Sequence, residues 1–367
     1  IIIFLRHITE SITEPYLGLD ALRYHFPYAH IIYQSHTLPQ YTSPSMGDLF
    51  FTSPPLPFLW YAATWLWLGT PHLFLPIFTT VILSIHICIV LYRMARYVFD
   101  VPPEIGLGVV LCLMLPGIFS NIIQVLRSTT DIPFAFWGVA TAYWWMRDGV
   151  DRGSSRRLWV AVCGGMMAWI KPYGYLLGVA YVGLMVVWWF RYRREEQVWT
   201  YDLPAIAGVI ALWAAVVLPL PVQHWMIWDN PVYPVLNGLF GGILINDWSL
   251  QHNLMLLDVF SWDGYNIVSQ LFSEPAVALG GVAILHPAVR RNPLLRLLWL
   301  VPCVYAILYL IMFGSTISNA IPGAHARYQL PGIMLFGLFV SCYLASRFRT
   351  EDRKTQEILL AALLSRR

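Results

Sequence analysis

Long apolar segments recur along this chain of 367 residues, and they restrict its fold more than any other feature. A helix that crosses a bilayer needs about 20 mostly apolar residues. Candidate spans lie near 73–92, 104–123, 132–146, 157–170, 172–190, 203–221, 274–288, 295–313 and 330–346. Only 12% of the residues are charged, whereas soluble domains carry about 25%. The sequence therefore predicts an all-α, polytopic transmembrane helical bundle.

The chain opens with IIIFLRH, an apolar run that stops at Arg6. We interpret this run as the exit end of an earlier span, so we expect an incomplete N-terminus and a bundle of about ten spans. A cleaved signal peptide is the alternative, although no n-region or cleavage site is visible. No internal repeat or soluble domain stands out in the sequence, so residues 1–367 are predicted to form a single transmembrane domain.

Clusters of basic residues predict which ends of the spans face the cytoplasm. Two candidate spans lie between each cluster and the next, so all the clusters fall on one side of the membrane. The clusters are Arg93 and Arg96; Arg147, Arg152, Arg156 and Arg157; Arg191, Arg193 and Arg194; Arg290, Arg291 and Arg296; and Arg347, Arg349, Arg353 and Lys354. Because cytoplasmic loops are enriched in Lys and Arg, this side is predicted to be cytoplasmic. Residues 350–367 are then a short amphipathic tail on the cytoplasmic surface.

The remaining polar segments form the predicted outward loops. They comprise the first outward loop at 6–72, a second large loop at 222–273, and shorter stretches at 124–131, at the Lys171–Pro172 hinge and at 314–329. Within the first loop, PPLPFLWYAATWLWLG at 54–69 is either a span or an interfacial juxtamembrane helix. We favour the interfacial position because it keeps the polar loops on one side.

Asp20 is a candidate catalytic carboxylate in the first outward loop. It lies among apolar residues in LGLDALRYHFPYA and is followed by Tyr24 and His25. A carboxylate held at the membrane surface can take a proton from an acceptor hydroxyl. The alternative is structural, with Asp20 capping a helix or pairing with Arg23. Pro27 is predicted to open an amphipathic helix directly after this motif.

Several short motifs resemble one family in their order along the chain. After LGLDALRYHFPYA come SPPLPFLWYAATWLWLG, RSTTDIPFAFW at 127–137, WIKPYG at 169–174, WDNPVYPVLNGLFGG at 228–242 and ARYQLPG at 326–332. This series resembles the polyprenyl-phosphate-sugar glycosyltransferases of the GT-C class, above all those related to protein O-mannosyltransferases and lipid A aminoarabinose transferases. Many of these relatives have Asp-Glu where this chain has Asp20-Ala21, so a role that needs the second acid is not carried over.

The resemblance implies a membrane glycosyltransferase of the cell envelope with an inverting mechanism and Asp20 as general base. It implies a polyprenyl-phosphate-sugar donor, similar to dolichyl-phosphate-mannose, and an acceptor that is a protein, a lipid or a glycan. The expected location is the bacterial inner (plasma) membrane, with multiple spans and an outward active site in contact with membrane lipids.

The outward segments supply candidate residues for each part of this reaction. A donor phosphate at the membrane interface needs cations that stabilise it as a leaving group. The candidates are Lys171, Arg327, Arg127 and His325 for the donor phosphate, Asp20 and Asp131 for catalysis, and Tyr24, His25, Asn230, Tyr233 and Tyr328 for substrate binding. Alternatively, Lys171 and Arg327 are interfacial anchors. Asp131, which Pro133 follows, is alternatively a helix cap.

Cofactors and other partners leave weaker patterns in the sequence. No His-x-x-x-His or carboxylate pair makes a convincing metal site, so no metal or other cofactor is assigned, and a divalent cation has no support from residue spacing. The five cysteines lie inside apolar runs without paired spacing, which favours packing over disulfides. A net charge of +3 does not favour nucleic-acid binding.

Three other functions remain as alternatives. A transporter or flippase of lipid-linked glycans tends to have inverted repeats and broken paired helices, which the sequence does not display. A non-catalytic subunit of a larger membrane complex would use aromatic and His residues for packing, but His86 and His286 form no pattern. An O-antigen ligase or polymerase would rely on outward Arg and His instead of an Asp in the first loop.

Overall fold

The fold was analysed in a computed structural model of the chain. It describes residues 25–38, 55–72, 74–97, 101–113, 130–151, 154–171, 174–192, 199–232, 240, 280–285, 287–313, 332 and 334–339. The regular elements in these ranges are all helices, which confirms the predicted helical class.

The described residues form a series of helices. In chain order they are α1 (Phe26–Ser35), α2 (Leu56–Leu68), α3 (Phe74–Tyr97), α4 (Pro103–Leu113), α5 (Asp131–Asp151), α6 (Ser154–Met166), α7 (Gly174–Tyr192), α8 (Trp199–Val217) and α9 (Pro219–Trp228). A 3-10 turn at Ala283–Leu285 then precedes α10 (Pro287–Arg291) and α11 (Pro293–Phe313). Residues 334–339 are also helical.

Among the described residues, two stretches of helix, Phe78–Tyr97 and Pro204–Ile227, are long and apolar enough to cross a membrane by length and composition. Within the candidate span 274–288, the described residues include a 3-10 turn at Ala283–Leu285 and the start of the short helix α10. Pro287 has no backbone N–H to donate and disfavours helical conformation in the residue before it. The total of about ten spans stays a prediction.

α5 lies at the centre of the bundle and contacts α3, α6, α7 and α11. α3 runs parallel to α5. His86, in the middle of α3, meets Phe136 in the second turn of α5, and the Arg147 guanidinium lies 6.0 Å from the centre of the Tyr97 ring near the C-terminal ends of both helices. An apolar core fills the space between the helices. Its largest fully buried side chains include Trp145, Phe134, Tyr181, Tyr305 and Phe339.

Glycines allow α6 to approach α7 and α8 closely. A Cβ at Gly178 would lie 2.9 Å from the Gly164 carbonyl oxygen and 3.1 Å from the Trp213 indole nitrogen. A Cβ at Gly165 would lie 2.6 Å from Cγ1 of Val216. Small residues of this kind bring helix backbones together in membrane proteins. The C-terminal half of α6 is therefore packed tightly against its neighbours.

A buried ion pair lies at the C-terminal end of α5. Arg157 Nε donates to Asp148 Oδ1 at 3.1 Å, and the same guanidinium lies 5.1 Å from the centre of the Trp189 ring on α7. Arg156 donates to the Arg147 carbonyl at 3.3 Å. Residues of the first two predicted arginine clusters therefore lie together. The end of α7, which leads into the third cluster, lies beside them. We call this end of the bundle the arginine end.

α1 and α2 form a small layer with its own core. This core consists of Phe26, Tyr28, Ala29, Ile32, Phe58, Tyr61, Ala62 and Trp65. Pro27 lies in the first turn of α1, and α2 begins directly after Pro55, as the sequence predicts. Gly69, in the left-handed conformation with φ 71°, ends α2.

Both ends of α2 lie at the opposite end of the bundle from Arg157. The backbone N–H of Leu56 donates to the carbonyl of Trp169, just after α6. The chain that leaves α2 reaches α3 within a few residues, and the Trp65 indole donates to the His72 carbonyl at 2.8 Å. Because α3 and α5 are parallel, the start of α3 lies at the N-terminal end of α5. α2 therefore lies across one end of the bundle, which supports the interfacial interpretation of 54–69.

Candidate functional site

The chain between α6 and α7 folds into a tight hinge at residues 167–171. The Lys171 N–H donates to the Met167 carbonyl at 3.2 Å, and the Gly174 N–H donates to the Lys171 carbonyl at 2.9 Å. α7 then begins at Gly174, where a Cβ would collide with the Met167 carbonyl. Glycine is therefore the residue that this close approach of two backbone segments permits.

Lys171 forms a buried ion pair with Asp131, the first residue of α5. The Lys171 side chain is 8% exposed and the Asp131 side chain is fully buried. Removing two charges from water is costly, and only a close contact offsets that cost. The N-terminus of α5 favours the Asp131 carboxylate further through the helix dipole. We call the end of the bundle that holds this pair and residues 167–171 the hinge end.

Two buried ion pairs therefore lie at opposite ends of α5. Asp131 and Asp148 are about 26 Å apart along the helix axis, at a rise of about 1.5 Å per residue. This separation is close to the thickness of the hydrocarbon core of a bilayer, about 30 Å. Lys171 is thus separated from the arginine end by almost the full length of α5.

Trp169 connects the hinge to two other helices. Its carbonyl accepts a hydrogen bond of 3.1 Å from the backbone N–H of Leu56, at the start of α2. Its indole Nε1–H donates to the Val216 carbonyl at 2.6 Å, near the end of α8. The N-terminus of α2 and the C-terminus of α8 are therefore both attached to the hinge two residues before Lys171.

His25 and Asn230, two predicted substrate-binding residues, are buried. The His25 ring stacks on Phe58 with ring centres 5.3 Å apart, within the α1–α2 layer. The Asn230 Oδ1 accepts a hydrogen bond from the Val232 N–H at 2.9 Å, directly after Asp229 in the left-handed conformation. This side chain-to-backbone bond stabilises the turn after α9. Substrate binding by either residue stays a prediction.

The other predicted site residues lie outside the described residues. These are Asp20, Tyr24, Arg127, Tyr233, His325, Arg327 and Tyr328. Of the candidate set, the structure therefore brings together Asp131 and Lys171. Within the described ranges, no three His, Cys, Asp or Glu residues are arranged to hold a metal ion.

No protein-family profile and no curated protein matches the sequence. ArnT from Cupriavidus metallidurans bound to undecaprenyl phosphate superposes with a TM-score of 0.60 at 14% identity, over 94% of this chain and 58% of that one. The apo state of the same ArnT gives a TM-score of 0.54 at 12% identity, over 98% of this chain and 62% of that one. This chain has the GT-C fold. It spans about three fifths of the ArnT chains that it matches.

The GT-C fold confirms the resemblance that the sequence motifs indicated. The pairing of Asp131 with Lys171 was nevertheless missed, although the sequence contained a signal for it. Both residues were predicted on the outward side at the ends of candidate spans, and a cation near a membrane span needs a partner or access to water. No comparable sequence signal predicted the hydrogen bonds that Trp169 makes with Leu56 and Val216.

Proposed function

We propose that this protein is a membrane glycosyltransferase that moves a sugar from a polyprenyl-phosphate-linked donor to an acceptor. The observation that carries the proposal is the buried Lys171 ammonium at the hinge end of a GT-C fold. The phosphate of a lipid donor lies at the membrane interface, where its charge must be stabilised as the sugar leaves. ArnT, which shares the fold, is bound to undecaprenyl phosphate in one of its structures. We extend that class of lipid to this chain.

Lys171 is assigned to the donor phosphate, and Asp131 to the orientation of Lys171. An ammonium group carries three N–H donors, so it can bridge a carboxylate and a phosphate oxygen. A lysine held by a buried carboxylate keeps a narrow range of positions, which lowers the entropy cost of binding. Arg127, Arg327 and His325 are proposed to complete the phosphate site from the outward loops.

Asp20 is proposed as the general base of a single inverting displacement. The acceptor hydroxyl oxygen attacks the anomeric carbon of the donor sugar while the bond from that carbon to the phosphate oxygen breaks. The hydroxyl proton passes to Asp20, and Lys171 stabilises the charge left on the lipid phosphate. The residues proposed to bind sugar and acceptor are Tyr24, His25, Asn230, Tyr233 and Tyr328.

The reaction is placed on the non-cytoplasmic face of a bacterial inner membrane. The positive-inside rule assigns the arginine end to the cytoplasm, which puts Lys171 and the α1–α2 layer on the other face. Trp67, at the end of α2, is 81% exposed. An exposed tryptophan on a helix that lies across the bundle end suits the boundary between lipid and water.

Binding of undecaprenyl phosphate to the purified protein in lipid nanodiscs tests the proposal. The wild-type protein should bind this probe, and Lys171→Met should weaken binding tenfold or more, because a hydrogen bond to a charged group contributes about 1.5–3 kcal/mol. Arg290→Gln removes an exposed cation outside the hinge and serves as the matched control. Transfer of a radiolabelled sugar from an undecaprenyl-phosphate donor to membrane acceptors then measures the reaction. Absence of binding by the wild type, or equal binding by Lys171→Met, contradicts the proposal.

A further inference from the structure

The first turn of α2 lacks the usual means of satisfying its backbone donors. The first N–H groups of a helix have no partner within the helix. Pro55 precedes α2 and provides no side-chain cap, and Pro57 has no N–H of its own. The N–H of Leu56 is satisfied by the carbonyl of Trp169. The hinge thus acts as the cap of α2.

The end of α8 has a complementary need for donors. Pro219 and Pro221 follow the last residues of α8 and have no N–H to offer to the carbonyls of Ala215 and Val217. The Val216 carbonyl between them accepts the indole N–H of Trp169 at 2.6 Å. A single residue therefore caps the start of one helix with its carbonyl and the end of another with its side chain.

Trp169 also lies in the same hydrogen-bonded turn as Lys171. The Trp169 N–H donates to the Met166 carbonyl at 3.2 Å, and the Lys171 N–H donates to the Met167 carbonyl, also at 3.2 Å. The hinge backbone has little room to move, because Gly165, just before the hinge, packs directly against Val216 of α8. A change in the position of Trp169 must therefore move Lys171 relative to Asp131.

We propose that Trp169 is a positioning residue that couples the docking of the α1–α2 layer to the placement of the Lys171 ammonium. This coupling sets the affinity of the hinge end for the donor phosphate, and in that respect it rests on the proposed function. When α2 is docked, its N-terminus engages Trp169 and the ammonium is held beside Asp131. When the contacts of Trp169 are weakened, α2 loosens and the phosphate loses a fixed cation.

The variant Trp169→Phe tests the coupling, because it removes the indole N–H and retains an aromatic ring. Trp145→Phe is the matched control. Trp145 lies on α5, outside the hinge, and is 1% exposed. Its indole N–H makes no hydrogen bond within the described part of the chain. Both variants lose the same side-chain atoms, but only Trp169→Phe loses a hydrogen bond between elements.

Hydrogen exchange and phosphate binding are measured on both variants in nanodiscs. In Trp169→Phe, amides of the hinge and of the first turn of α2 should exchange about 2- to 12-fold faster, the range that corresponds to the loss of one hydrogen bond. The dissociation constant for undecaprenyl phosphate should rise by a similar factor, and KM for the donor should rise with little change in kcat. Trp145→Phe should leave the exchange of these amides and the dissociation constant at their wild-type values.

Two results distinguish this inference from the proposed function. A wild-type protein that binds no undecaprenyl phosphate refutes the proposed function. A wild-type protein that binds it, together with a Trp169→Phe variant that has unchanged affinity, refutes the coupling whether or not exchange is faster. Equal losses of affinity in Trp169→Phe and Trp145→Phe also refute the coupling, because they show a general effect of lost core volume.

Discussion

Lys171 and Asp131 form a buried ion pair although 40 residues separate them in the chain. The pair joins the hinge after α6 to the first residue of α5. Burying charges is a poor way to gain stability, since apolar residues of similar volume often do as well. A pair of this kind is therefore better explained by a need for a charge at this point than by stability alone.

Removing both members of the pair should destabilise the protein by less than the sum of the two single losses. Lys171→Met leaves the Asp131 carboxylate buried without its cation, which typically costs about 3–5 kcal/mol. In Asp131→Asn/Lys171→Met no charge remains, so the combined loss should fall short of the sum of the single losses by about 0.5–3 kcal/mol. Thermal melting of the four proteins in detergent measures this coupling. Strictly additive losses would show that the two side chains act independently.

Arg157→Gln provides a control at the arginine end of α5. This change also leaves a buried carboxylate, Asp148, without its cation, so thermal stability should fall by a comparable amount. The site near Lys171 lies about 26 Å away along α5, so the affinity for undecaprenyl phosphate should stay at its wild-type value. A parallel loss of affinity in Arg157→Gln would mean that Lys171→Met acts through general destabilisation.

Asp20→Asn should separate catalysis from binding. The amide keeps the size of the carboxylate but cannot accept the acceptor proton, so turnover should fall by about 10²- to 10⁴-fold while donor binding persists. Sugar-transfer rates and undecaprenyl phosphate binding are measured on the same preparation. Asp48→Asn, in the same predicted loop, should turn over normally. Wild-type turnover by Asp20→Asn would move the base to another carboxylate.

The sequence predicted those features that depend on local pattern. The starts of α1 and α2 follow from Pro27 and Pro55, because proline suits the first turn of a helix. The candidate span at 73–92 overlaps α3, whose segment Phe78–Tyr97 is long and apolar enough to cross a bilayer.

Other features depend on tertiary contacts and could not be read from local pattern. The pairing of Asp131 with Lys171 requires that α5 and α6 pack side by side, which fixes partners far apart in the chain. The capping of α2 by Trp169 depends on a backbone carbonyl, and every residue type has one. The proline-rich start of α2 and the prolines after α8 indicated helix ends short of hydrogen-bond donors and acceptors, but only the fold shows that one residue bonds to both ends.

Cysteine labelling in intact cells should place the hinge end outside. On a background with the native cysteines replaced, Thr70→Cys at the exposed end of α2 should react with an impermeant maleimide. Tyr97→Cys, exposed at the arginine end, should react only after the membrane is permeabilised. Asp131 is unsuitable for this test because it is fully buried. The reverse pattern would place Lys171 in the cytoplasm and contradict the proposed site of reaction.

Gly174→Ala should disturb the hinge, whereas Gly183→Ala on the same helix should be tolerated. The new methyl group at position 174 would collide with the Met167 carbonyl, and relief of such overpacking typically costs about 1–3 kcal/mol. The backbone shift would also displace Lys171 from Asp131, so the affinity for undecaprenyl phosphate should fall together with thermal stability. At Gly183 no atom lies within 4 Å of the new methyl group, and alanine in place of a helical glycine stabilises by about 0.5–1 kcal/mol. Equal affinity in the two variants would show that the hinge backbone does not determine the position of the Lys171 ammonium.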